Sequence, residues 1–199
     1  MVKLEDYLYN KVKPIISTWN EDGIYAISFF VYSNGAFTYR NYSNISEFAV
    51  SYNTENDFTK ACPTAWSPNE ARWNYAFWRQ NTTHIINPHE ENNEGMSILF
   101  KWYDENKVEN IGIYSNDNQY DENGFYIGKG PGGYYELLTA VSNVAQRLQT
   151  EGFVKEKFGT VPIIVHGLEY DHLVESATKN ANPNGEADAF LEALENYFE

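Results

Sequence analysis

Apolar residues recur at helical intervals in several stretches of the chain and alternate at strand spacing in others. Leu4, Leu8, Val12, Ile15, Ile16 and Trp19 share one face of a predicted helix over 3–19, which Pro14 bends or breaks. Asn20-Glu21-Asp22-Gly23 reads as a turn. The run 24–32 crowds both of its faces with Ile24, Ile27, Phe29, Phe30 and Val31, the pattern of a central strand. Ser33-Asn34-Gly35 is a hairpin signal, because Asn-Gly accepts the positive φ of a tight primed turn. The pattern therefore predicts that 37–42 returns antiparallel and that 47–52, with Phe48, Val50 and Tyr52 on one face, adds a third strand to a meander.

Ser67-Pro68-Asn69-Glu70 opens a second helix, with Ser67 as the cap, Pro68 in the first turn and Glu70 closing a capping box. Its continuation carries Ala71, Trp73, Tyr75, Ala76, Phe77 and Trp78 and is apolar nearly all round. The polar stretch 82–93 reads as a loop, and 94–103 as a helix on Met96, Leu99, Phe100 and Tyr103. The Asn-, Asp- and Glu-rich stretch 104–123 holds a short predicted strand at 111–114, and 125–127 predicts another.

The best-defined region follows. A glycine turn (Gly128, Gly130, Pro131, Gly132, Gly133) opens a long helix striped with Leu137, Leu138, Val141, Val144, Ala145 and Leu148, and Gly152 ends it or marks a weak point before 153–158. Gly159 and Pro162 bracket the β-branched run 161–165, which reads as a buried strand of the sheet that the helix crosses. After the turn Asn182-Pro183-Asn184-Gly185, residues 186–198 predict a closing amphipathic helix on Ala187, Phe190, Leu191, Leu194 and Phe198. These elements predict one α+β domain over 1–199, a mostly antiparallel sheet packed against several helices.

Composition sharpens this picture. The 199 residues suit one domain. Aromatics reach 17%, with 16 Tyr, so many tyrosines must find the surface or a groove where their hydroxyls have partners. The formal charge of −14 opposes binding to nucleic acid or an anionic membrane and favours a basic partner, or serves solubility alone. Cys62 is the single cysteine, no signal core opens the chain, and no run reaches membrane-spanning length. The expected location is cytoplasmic.

The candidate chemistry is sparse. Gly128, Gly130 and Gly133 give G-x-G-x-x-G spacing, but Lys129 precedes the last glycines and Tyr134-Tyr135-Glu136 opens the helix. The region 128–135, with Lys129, Gly132 and Tyr134, is therefore a structural turn or an anion site at a helix N-terminus. His166, Glu169, Asp171 and His172 form the densest set of possible ligands or acid–base groups, although strand alternation puts the histidines and the carboxylates on opposite faces. His84 and His89 lie in a polar loop without metal-binding spacing. Trp66, Trp73, Tyr75, Phe77 and Trp78 form either core or a protein-binding face.

The order Ile24-Tyr25-Ala26-Ile27-Ser28-Phe29-Phe30, then Ser51-Tyr52-Asn53-Thr54-Glu55, then Glu70-Ala71-Arg72-Trp73-Asn74-Tyr75, followed by 161–169, resembles a family of uncharacterised bacterial cytoplasmic proteins. That family carries an opening strand of this kind, a Tyr-Asn-Thr-Glu turn and a tryptophan-bearing helix, and some members look like immunity proteins of polymorphic toxin systems. The resemblance implies an α+β fold and a binding role and brings no catalytic residues. The expectation is a non-enzymatic acidic binding protein with no cofactor or metal, directed at a basic partner such as a toxin domain. The alternative is a small-molecule-binding or hydrolytic enzyme using 128–135 with His166, Glu169 and His172, and a further option is self-assembly through the aromatics.

Overall fold

Large apolar side chains on both faces make Ile24–Ser33 unfit for an edge, and the chain places it inside the sheet. The computed structural model describes residues 3–80, 82–117 and 119–195. In order these form α1 (Leu4–Ser17), β1 (Ile24–Ser33), β2 (Ser46–Thr54), α2 (Glu55–Ala61), α3 (Pro68–Trp73), a short 3₁₀ turn (Tyr75–Phe77), β3 (Thr83–Ile86), α4 (Glu94–Glu105), α5 (Tyr134–Thr150), α6 (Phe153–Phe158), β4 (Ile163–His166), α7 (His172–Ala181) and α8 (Asp188–Glu195). The sheet has four strands in the order β3-β2-β1-β4. β1 runs antiparallel to β2, with Phe29 opposite Val50, and parallel to β4, with Phe29 opposite Val165. The class is α+β, as the sequence pattern predicts.

Alternation gives the sheet two apolar faces. Ile27, Phe29, Val31, Phe48, Val50, Ile163 and Val165 share one core with Leu4, Leu8 and Val12 of α1, Met96 and Leu99 of α4, and Leu137, Val141 and Leu148 of α5. Leu137, Val141 and Leu148 are fully buried, and each such side chain contributes about 1.5–3 kcal/mol. The opposite face, with Ala26 and Ile164, packs on Trp73, Trp78 and Phe190.

β4 lies at the end of the sheet rather than in its middle, yet all four of its residues are buried. Side chains from α7 complete its open edge. Thr178 Oγ1 accepts from Val165 N and donates to Val165 O, both at 3.1 Å. Asn182 accepts from Ile163 N at 2.9 Å and donates to Ile163 O at 2.8 Å. Gln149 holds Asn182 from behind at 3.0 Å. The backbone groups that would otherwise recruit another strand are satisfied.

Several expectations are corrected. Residues 37–42 form no strand, and β1 pairs directly with β2. The reversal with positive φ falls at Arg40 (49°) and Asn41 (74°), closed by the Tyr39–Tyr42 bridge, and not at Asn34-Gly35. The tryptophan helix stops at Trp73, because Asn74 turns extended and its side chain accepts from Ala76 N at 2.9 Å. Its capping box is half formed: Ser67 accepts from Glu70 N, while the Glu70 carboxylate accepts from Trp66 N. Within the predicted loop 82–93, Thr83–Ile86 forms edge strand β3. The predicted strands 111–114 and 125–127 are reduced to single bridges, Ile111 with Gly132 and Tyr120 with Tyr126. Phe198 lies outside the described residues.

Candidate functional site

β1 and β4 run parallel, and their carboxyl ends open together into a cleft of about 760 Å³. Ligands gather at such ends in open sheets, because the following loops diverge there. Four segments wall the cleft. The long connection between α4 and α5 supplies Tyr114, Tyr120, Phe125, Tyr126, Gly130 and Pro131, and the start of α5 supplies Tyr134. The turn after β4 and the first turn of α7 supply Glu169, Tyr170, Asp171, His172 and Glu175. α8 adds Leu191, Leu194 and Glu195, and Tyr32 lies at the end of β1. Among the described residues, no lysine or arginine lines it.

Local chemistry fixes these walls. Gly112 and Gly132 lie where an added Cβ would strike the carbonyls of Ser43 and Asn110, so the connection approaches its neighbours backbone to backbone. Tyr126 is held at its hydroxyl, which accepts from Gly130 N at 2.7 Å and donates to Gln119 at 3.0 Å. The Tyr120 and Tyr126 rings meet edge to face, 5.6 Å apart, and His172 lies 6.1 Å from Tyr126. Asp171 caps α7, its carboxylate accepting from Leu173 N at 2.9 Å and Val174 N at 3.0 Å.

The electrostatics are one-sided. Burial raises the pKa of Tyr134, and the nearby Asp171, Tyr126 and Tyr114 raise it further. Burial likewise raises Tyr126, with Gly130 N–H opposing and Tyr114, Asp171 and Tyr120 reinforcing the shift. Tyr126 and Tyr134 thus both feel the Asp171 carboxylate and the Tyr114 hydroxyl. The Nδ1 atom of His172 is buried and has no hydrogen-bond partner among the described residues.

The structure divides the residues that the sequence singles out. Tyr134, Glu169 and His172 line the cleft. His166 does not. It is fully buried among the rings of Phe30, Tyr75, Trp78 and Tyr170. Because a carbonyl only accepts, His166 Nδ1 donates to Gly167 O at 3.0 Å, and Nε2 accepts from Ser28 Oγ at 2.8 Å. Burial pushes its pKa down to about 4. This serine–histidine pair has the spacing of a nucleophile and its base, but neither group reaches solvent and a carbonyl stands where the orienting acid would be. Its effect is to tie β1 to β4.

Lys129 and Gly132 line a separate groove of about 360 Å³ on the other side of the glycine turn, where Lys129 Nζ lies 4.7 Å from the centre of the Tyr135 ring. The amides of that turn are engaged: Gly130 N by Tyr126, Gly132 N by Ile113 O, Tyr134 N by Pro131 O, and Gly133 N by the Glu136 carboxylate at 3.1 Å. Glu136, a carboxylate of the chain itself, thus answers the Gly133 amide. The tryptophan group separates as well. Trp73 and Trp78 are buried in the second core, whereas Trp66 stands 96% exposed.

Reading by motif passed over the cleft's own rings: Tyr32, Tyr114, Tyr120, Phe125, Tyr126 and Tyr170. A signal was present, since a strongly polar stretch without periodicity spends three tyrosines and a phenylalanine between 114 and 126. Among the described residues, no group of three His, Cys, Asp or Glu side chains is placed to hold a metal ion, and no helix is long and apolar enough to cross a membrane. No protein-family model matches the chain, and neither does any curated protein or solved structure.

Proposed function

We propose that this chain is a non-enzymatic binding protein that captures a basic protein partner, and that it acts as an immunity protein occupying a basic toxin domain. The observation that carries the reading is the cleft at the ends of β1 and β4: among the described residues it is lined by seven aromatic rings, four carboxylates and no lysine or arginine. Around its mouth, Phe125 (62%), Tyr120 (55%) and Tyr114 (50%) leave large apolar areas in water. Exposed aromatic patches of this kind mark interaction surfaces, and tyrosine dominates the residues that anchor them. The formal charge of −14 supplies long-range attraction for a basic domain. The resemblance to the bacterial family adds the toxin-neutralising role.

The test uses the full chain as bait in an extract of the source cell. The expected result is a basic protein captured at low salt, lost as salt rises, and not captured when Glu169 and Glu195 of the cleft lining are changed to Lys. Co-expression with the wild type then relieves the toxicity of the captured protein. Equal capture by the reversed variant, or a captured protein whose expression is harmless, sinks the reading.

A further inference from the structure

The cleft also has a specific chemistry within its overall charge. We propose that it is a binding site for an organic cation, an alkylammonium or alkylguanidinium group, seated among Tyr114, Tyr120, Tyr126 and Tyr134 and balanced by Asp171 and Glu169. The inference rests on the reading of a basic partner, whose lysine or arginine side chain is one source of such a group. A free amine is the other.

Three observations converge on it. First, four tyrosine rings border one space: Tyr120 and Tyr126 meet edge to face at 5.6 Å, and Tyr126 and Tyr134 both lie near enough to Asp171 and Tyr114 to be influenced by them. The negative faces of aromatic rings attract a cation from several sides at once, which is how aromatic cages hold quaternary ammonium groups. Second, the charge has one sign. Asp171 Oδ1 accepts from two amides of α7, so the positive end of that helix is already answered and no longer calls for an anion, while the carboxylate keeps its charge on the cleft wall. The Glu169 carboxylate lines the same wall with no partner among the described residues. Third, His172 lines this wall and its Nδ1 is buried without a partner among the described residues, and an unprotonated imidazole nitrogen is an acceptor for an N–H from an ammonium or guanidinium. An anion entering here meets carboxylates and ring faces, and a plain hydrocarbon leaves Glu169 and His172 unanswered.

The experiment is a titration of the full chain, followed by tyrosine fluorescence and calorimetry. The probes are choline, its uncharged tert-butyl isostere, agmatine, and arginine capped at both ends as a peptide unit. Binding of at least one cation is expected with a Kd of about 1 mM or tighter, with the isostere at least about tenfold weaker. Tyr114→Ala and Tyr120→Ala remove half-exposed rings, and each should weaken the cation about three- to tenfold. Asp171→Asn keeps the α7 cap, because asparagine caps as well as aspartate, yet removes the charge and should cost about tenfold. Thermal melting confirms that each variant is folded. Capped arginine binding better than choline names the partner's side chain as the source, and the reverse names a free amine.

No cation bound by about 10 mM, an isostere that binds equally well, or affinities untouched by all three variants overturns the site. A basic protein still captured by a chain that binds no small cation leaves the proposed function standing without this site. Cations bound by a chain that captures no basic protein leave the site standing without that function.

Discussion

Two histidines set opposite pH limits on the fold. His166 is buried neutral, its pKa lowered from 6.5 to about 4 by desolvation. Between those values the unfolded chain binds a proton that the folded chain refuses, so stability falls as the pH drops from about 6.5 towards 4, by up to about 3 kcal/mol. His84 has the opposite sign. Its hydrogen bond to Glu47, at 3.3 Å, raises its pKa above 6.5, and burial opposes this only in part. Its contribution is complete below about pH 6.5 and fades as the pH rises through the folded value. That contribution is below about 1 kcal/mol, because the imidazole is partly exposed. Urea unfolding between pH 4.5 and 8 should show both limbs. His166→Phe should flatten the acid limb while costing stability at pH 7, because Ser28 Oγ then loses its acceptor. His84→Gln should flatten only the neutral-to-alkaline limb. An acid limb unchanged in His166→Phe would mean that protonation of His166 does not govern it.

At the scale of elements, the closing of β4 by α7 makes a sharp prediction. Asn182 joins Ile163 N, Ile163 O, Thr178 O and Gln149 through a single amide. Asn182→Leu should destabilise the chain by about 3 kcal/mol or more, since buried backbone groups lose their partners, and should promote association through the opened edge. Urea unfolding and light scattering measure the two effects. Gly133→Ala should also destabilise, by about 2 kcal/mol: Gly133 sits at φ 90°, and an added Cβ would come within 2.8 Å of the Tyr103 ring, which it cannot displace from the core. The same elements show what the sequence reveals. α5 and β1 are legible because their apolar spacing alone decides their place. α7 has no prediction, although Asp171 and the Asn182-Pro183 pair mark its two ends. Its inward face is Leu173, Val174, Ala177, Thr178 and Ala181, too small and mixed to stand out as a stripe. β3 has four residues and exposes the first two. The cleft is less legible still. Glu169 and His172 stand out by type, but the tyrosines that face them come from a connection without periodicity, and only folding of the whole chain brings the two together.

At the scale of the molecule, charge and cleft work at different ranges. The net charge of −14 acts over about one Debye length, roughly 8 Å at physiological salt, and sets how often a basic partner arrives. The rings and carboxylates of the cleft act at contact and set how long it stays. The two should separate in kinetics. Glu109→Lys and Glu122→Lys alter exposed carboxylates away from the cleft lining. They should slow association with the captured partner about threefold to tenfold, weaken its salt dependence, and leave dissociation unchanged. Tyr114→Ala and Tyr120→Ala should do the reverse, speeding dissociation with little change in association. Stopped-flow or surface-resonance measurements at two salt concentrations distinguish the two patterns. Both sets of residues are exposed, so thermal stability should stay close to that of the parent chain, and a change in binding reports the surface rather than the fold. If all four variants change association and dissociation alike, distant charge and the aromatic cleft are not separable parts of recognition, and the cleft loses its claim to be the contact surface.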